Sequence, residues 1–215
     1  MNEIIKKKLV AYFKKHKLIK FKKGRIVFSP DEEISGIVFE KSGYSRVYTV
    51  SKDGREITLP LFKPLFTVSM ITALTGEKNK YYFESISPLE IWVAPKEETL
   101  NFIRSDKELF DKLSRTMWSE FMELTDSMQQ LVFGDAYTKI AGLIYSMSNK
   151  FGEPNRKGVT INFNTPHRMI ASMTGLTRET VTLQILKLQK EGYISAVGRR
   201  IAVKNLEKLK EIAKI

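Results

Sequence analysis

Thr165-Pro166-His167-Arg168-Met169-Ile170-Ala171-Ser172-Met173-Thr174-Gly175-Leu176-Thr177-Arg178-Glu179-Thr180-Val181-Thr182-Leu183-Gln184-Ile185-Leu186-Lys187-Leu188-Gln189-Lys190-Glu191-Gly192 reads as two short helices joined by a tight turn. Thr165 is placed to cap the first helix, and Pro166 suits its first position, where an N–H would have no helical partner anyway. Gly175 can take the left-handed conformation that stops a helix. A second helix must then start at once, with Thr177 as N-cap, Glu179 in the first turn where the helix dipole favours an anion, and Gly192 at its end. Ile170, Ala171, Leu176, Val181, Ile185 and Leu188 fall where two crossing helices face each other. Arg178, Glu179, Thr182 and Leu183 are left outward near the start of the second helix, where a recognition helix meets base edges.

Taken alone, these features also suit a helical hairpin packed in a core, with Arg178 and Glu179 as a solvated pair. The residues that follow argue for more. Tyr193 to Val197 and Ile201 to Val203 are strand-like runs around Gly198-Arg199-Arg200, a hairpin with a basic tip, and Gly158 to Phe163 supplies material for a third strand. A helical pair followed by such a wing is a winged helix. Thr177, Thr180, His167, Arg199 and Arg200 are then candidates for phosphate contact, which sets register rather than sequence.

Charge agrees with this reading. Residues 1–30 hold ten Lys or Arg against one acid, residues 153–215 twelve against five, and the stretch between is net negative, within a total of +12. A basic winged end fits a polyanionic partner held partly by counterion release. Lysines that serve only solubility are the alternative for the N-terminal run. With no cysteine, disulfides, thiol switches and thiolate-held iron-sulfur clusters are excluded, and two histidines far apart, His16 and His167, do not make a metal centre. No apolar run long enough to span a bilayer and no signal-peptide core is present, so a cytoplasmic protein is expected, with no membrane partner.

Upstream, Asn2 to Lys17 patterns as a lysine-rich amphipathic helix with Ile5, Leu9, Tyr12 and Phe13 on one side, expected to pack on the next domain. From Leu18 to about Pro95, short runs rich in β-branched and aromatic residues alternate with turns such as Ser42-Gly43 and Asp53-Gly54. They are 26–28, 36–39, 45–50, 56–59, 81–86 and 90–93, and they imply a rolled antiparallel barrel. Lys107 to Phe133 follows as a long helix. Its seam of Phe110, Leu113, Met117, Phe121, Leu124, Met128 and Leu131 recurs at steps of three and four, with a stutter at Met117. Ala136 to Asn149 forms another helix after a hinge around Phe133 to Ala136, Phe151 to Asn155 is a loop, and a last helix starts after Asn205.

Phe21 to Phe28, Ile37 to Tyr48 and Asp53-Gly54-Arg55-Glu56 resemble the β-roll of the cyclic-AMP receptor protein and fumarate and nitrate reduction regulator (Crp/Fnr) family of bacterial transcription factors. Thr177 to Val181 and Leu188 to Ile194 resemble that family's recognition helix. The resemblance runs from about Leu18 to Val203. It implies an α+β chain with a cyclic-nucleotide-binding-like β-roll, a dimerisation helix and a C-terminal winged helix-turn-helix, divided at 1–104, 105–134 and 135–215. It further implies a homodimer on double-stranded DNA, with the seam above as dimer interface. Members that sense oxygen or haem gases use cysteines or a haem-ligating histidine; with no cysteine here, His16 better read as a surface residue, and no cluster of nucleophile and base or of metal ligands, no catalytic residues and no resident cofactor or metal are expected. RNA polymerase and a small-molecule effector stay open as partners. Members that bind cyclic nucleotide carry Gly-Glu and Arg-Ser pairs, whereas this chain has Phe66 to Ile71 and Lys78-Asn79-Lys80 there. Lysine does not replace a bidentate arginine, so cyclic AMP in the usual mode is not expected. A non-DNA adaptor and a barrel enzyme with an accessory winged module are the competing readings.

Overall fold

The computed structural model describes residues 3–65, 67, 69–156, 158–197 and 200–214. They fall into two compact units, residues 1–50 with 58–121 and residues 51–57 with 122–215.

The first unit opens with α1 (Glu3–Phe13), which buries Ile5, Leu9 and Phe13 at a spacing of four. The helix stops earlier than its pattern predicts because Lys17 onward is taken by a strand. Strands β1 (Lys17–Phe21), β2 (Ile26–Phe28), β3 (Ile37–Ser42), β4 (Ser45–Val50), β5 (Glu56–Phe62), β6 (Tyr82–Ser85) and β7 (Leu89–Ala94) form two antiparallel sheets, ordered β1-β7-β3 and β2-β6-β4-β5. β1 is absent from the sequence reading because Lys-Leu-Ile-Lys-Phe has no clean alternation; it is an edge strand, paired among the described residues to β7 alone. Across that sheet Glu90 receives Lys41 at 2.6 Å and Lys20 at 2.9 Å, and these two hydrogen-bonded cations hold its carboxyl at about 2.

Alternation along β3 divides two cores. Ile37 and Phe39 join α1, Trp92, Leu100, Ile103 and Leu109 in one of them, where Phe13 stacks on Phe39 with centroids 4.6 Å apart. Val38 belongs to the other, inside the roll with Phe62, Phe83, Leu89 and Ile91. Glu40 shares Val38's side of the strand and is fully buried, accepting a hydrogen bond from the Ser45 hydroxyl while its second oxygen has no partner among the described residues. Burial pushes its carboxyl up to about 8, against the opposing effect of Ser45. The turn from β3 to β4 needs glycine at Gly43, where φ is +96° and a Cβ would lie 2.2 Å from the Pro88 carbonyl.

Two short helices lie outside the sequence reading: α2 (Met70–Thr75) and α3 (Lys96–Ser105), the latter burying Leu100 and Ile103. α4 (Lys107–Phe133) then has the predicted extent, about 40 Å at the usual rise. Its residues belong to both units, and Leu109 is its one buried residue.

The second unit continues with α5 (Ala136–Phe151), N-capped by Asp135, whose side chain accepts from Thr138 N. The expected loop after it is instead β8 (Gly152–Asn155), paired along its length with β9 (Gly158–Ile161). Pro154 is tolerated because β8 is an edge strand. α6 (His167–Thr174), α7 (Arg178–Lys190), β10 (Ile194–Val197), β11 (Arg200–Val203) and α8 (Leu206–Ala213) complete a winged helix, with strand order β10-β11-β9-β8. Asn205 caps α8 by accepting from Lys208 N at 3.0 Å.

Candidate nucleic-acid interface

The turn between α6 and α7 has the form its sequence predicts. Gly175 is left-handed at φ +68°, and Thr177 Oγ1 accepts from Thr180 N at 3.1 Å, which fixes the first turn of α7. The Thr177 and Thr180 hydroxyls also lie 3.0 Å apart. Ile170, Val181, Ile185 and Leu188 are buried between the helices, and Ala171 and Leu176 are half-buried. Met169 and Ser172 are buried too, on a face of α6 wider than the sequence reading allows.

The start of α6 differs from expectation. Pro166 occupies the cap, its carbonyl accepting from Met169 N at 2.9 Å and Ile170 N at 3.2 Å, and the helix begins at His167. Thr165 points its side chain elsewhere: it is buried, and its hydroxyl has no partner among the described residues.

Arg178, Glu179 and Leu183 are exposed on one side of α7, Leu183 by 64%. Thr182 is half-buried; its hydroxyl donates to the Arg178 carbonyl at 2.9 Å and lies 2.8 Å from His167 Nδ1. Its hydrogen is therefore committed, and the contact ties the first residue of α6 to α7. Arg200 is exposed but opens β11 opposite Val197 rather than forming the hairpin tip. Arg199 lies outside the described residues. At the far end of α7, Lys187 Nζ sits 3.9 Å from the Tyr137 ring centroid, and the Tyr137 hydroxyl donates to Glu191. Burial, then Glu191, raises the Tyr137 pKa. This anchor escaped the sequence reading because it joins residues 54 positions apart, with no local pattern to mark it.

On α4, the seam residues other than the half-buried Leu113 are exposed within the single chain, from 40% at Leu131 to 58% at Met128. In the roll, the stretch aligned with the nucleotide-binding Gly-Glu pair contains Ser69, whose buried hydroxyl accepts from Val38 N and donates to the Gly36 carbonyl. At the second position Asn79 bonds the Ser29 and Tyr81 carbonyls, and Lys80 pairs with Glu77. Arg46 Nε and Nη2 both donate to Glu84 Oε2, at 2.9 and 2.6 Å. Among the described residues there is no cluster of three or more His, Asp or Glu suited to a metal, and no helix is long and apolar enough to cross a membrane.

Residues 138–212 match the sequence profile of the Crp-like helix-turn-helix domain, and residues 18–106 that of the cyclic nucleotide-binding domain. The chain belongs to the Crp/Fnr family. This Crp/Fnr regulator is 25% identical over 185 residues to the global nitrogen regulator of Nostoc sp., covering 85% of this chain and 83% of that one. It is 22% identical over 191 residues to the fumarate and nitrate reduction regulatory protein of Vibrio cholerae, covering 89% and 76%. A Crp-family transcriptional regulator from Thermus thermophilus shares its fold with a TM-score of 0.76, at 22% identity and with coverage of 92% and 97%. The Crp/Fnr regulator is thus a transcription regulator with a helix-turn-helix DNA-binding domain, and its relatives are regulators, not enzymes.

Proposed function

We propose that this Crp/Fnr regulator acts in the cytoplasm as a homodimer that sets two copies of α7 in successive major grooves of a two-fold operator. The observation that carries this reading is the conjunction, in one subunit, of an outward Arg178 and Glu179 on a firmly capped helix with an uncovered apolar seam along α4. Arg178 takes guanine O6 and N7, and Glu179 accepts from a cytosine N4 amine. Leu183 offers only apolar contact, suited to a thymine methyl, and Thr182, its hydroxyl donating inward, meets the bases through its own methyl group. His167, Thr177, Thr180, Arg199 and Arg200 hold phosphates. The α4 seam from Phe110 to Leu131 pairs the subunits, since two recognition helices must be held at a fixed spacing.

An effector in the roll acts through α4 to favour one of two arrangements of the dimer. It is not cyclic AMP in the family's usual mode. The spent Ser69 hydroxyl and the absence of a guanidinium at the Lys78-Asn79-Lys80 position support that statement. RNA polymerase is a further candidate partner. The test is fluorescence anisotropy on duplexes from the regulator's own upstream region at several salt concentrations, with sedimentation velocity on the same samples. A two-subunit complex whose affinity falls steeply with salt is expected; a monomer indifferent to every duplex would end the reading.

A further inference from the structure

A cleft of about 300 Å³ opens in the winged unit between the start of α6, the middle of α7 and the strands of the wing. That is the lower end of the volume range of small-molecule sites. Its apolar lining includes Ile185, Ile194, Ile201 and Leu186, the isoleucines buried and Leu186 55% exposed. Its polar lining is cationic or neutral, never acidic. Arg200 is exposed and has no carboxylate partner among the described residues, and His167 Nδ1 donates to the Thr182 oxygen, whose own hydrogen is committed to the Arg178 carbonyl. Thr165, whose buried hydroxyl is unpartnered among the described residues, also borders the cleft.

We propose that this cleft binds a small organic acid with an apolar body, its carboxylate at Arg200 and its hydrocarbon on Leu186 and the three isoleucines. Charge complementarity selects the anion, because a planar guanidinium with no carboxylate partner among the described residues is matched by a carboxylate. The apolar floor selects an aryl or branched aliphatic body over a bare inorganic anion. Arg200 is also one of the proposed phosphate contacts, so an occupant takes a position that the DNA backbone needs. The winged domain then carries its own inhibitory site, separate from any effector in the roll. This regulatory half rests on the DNA reading above; the binding half does not.

The test uses the full chain with labelled isoleucine methyl groups and phenylacetate as probe. Saturable shifts confined to Ile185, Ile194 and Ile201 are expected at about millimolar concentration. Neutral phenylacetamide and the Arg200→Ala variant should each bind about tenfold more weakly. Unmoved methyl signals, or equal shifts throughout both units, would overturn the site; equal binding of acid and amide would overturn the role of Arg200. Anisotropy on a random duplex at low salt should show about tenfold weaker binding in saturating phenylacetate than in acetate of equal ionic strength. No difference there, with the methyl shifts intact, would overturn inhibition. Failure to bind any duplex even without phenylacetate would instead count against the DNA reading and leave the cleft result standing.

Discussion

His167 Nδ1 lies 2.8 Å from the Thr182 hydroxyl, which itself donates to the Arg178 carbonyl, so one threonine joins the first turn of α6 to the backbone beneath the proposed base-reading arginine. Thr182→Val keeps the shape and removes the hydroxyl. Loss of one such hydrogen bond, about 1 kcal/mol, should weaken binding about fivefold. The loss should be alike on specific and random duplexes, because a phosphate contact carries no sequence. Anisotropy on both duplexes checks it, and a loss confined to the specific duplex would show that the Thr182 hydroxyl, and not only its methyl group, reads a base.

Arg178→Ala should behave in the opposite way. Removing a bidentate donor costs roughly 1 to 3 kcal/mol of discrimination and leaves low-salt binding to random DNA mostly in place. Competition between the operator and random duplex reads the difference directly. Equal losses on both would move Arg178 to the phosphate set.

Leu124 and Met128 are 49% and 58% exposed in the single chain, so a charge at these positions meets water in a monomer and a desolvated neighbour in a dimer. Leu124→Glu with Met128→Glu should leave the circular dichroism spectrum unchanged and convert the sedimenting species to one subunit. An unaltered dimer would show that the subunits meet elsewhere.

Glu40 makes stability depend on pH in a definite direction. Its carboxyl is raised to about 8 in the folded chain, so between about 4.5 and 8 the unfolded chain is ionised while the folded one keeps its proton. Stability is greatest below that window and falls as pH rises through it, by up to about 1.4 kcal/mol per unit from this group. Glu40→Gln should flatten the profile and be more stable than the wild type at pH 8. Urea melts at pH 5, 6.5 and 8 test this, and parallel profiles for the two proteins would show that Glu40 is ionised in the fold.

Calorimetry with cyclic AMP at micromolar concentration should give no saturable heat. A saturable signal would mean that another group supplies the missing guanidinium grip, with Arg46 released from Glu84 as the first to examine.

What could be read in advance follows the range of the interactions. Thr177, Gly175, Gly192 and Asn205 act within a few residues of themselves, and each stands in the place its chemistry predicts. The long apolar period of α4 was equally plain. The edge strands β1 and β8 were not, because Lys17 to Phe21 and Gly152 to Asn155 draw their strand character from their partners, Leu89 to Val93 and Gly158 to Ile161, rather than from alternation. For the same reason Glu40 passed unnoticed: only the assembled roll reveals that a polar residue type sits on the side of β3 that faces Phe83 and Ile91. At the site, the outward residues of α7 were visible from helical spacing. The Tyr137 anchor, the Thr182 link and Arg200's place inside β11 required tertiary contacts and strand register.

The uncovered ribbon on α4 has a bearing on dosage. If only a second chain can satisfy it, then at low copy number most subunits are solitary and the population able to occupy an operator grows with the square of expression. Modest changes in synthesis or turnover would thereby become sharper changes in promoter occupancy, before any effector is involved.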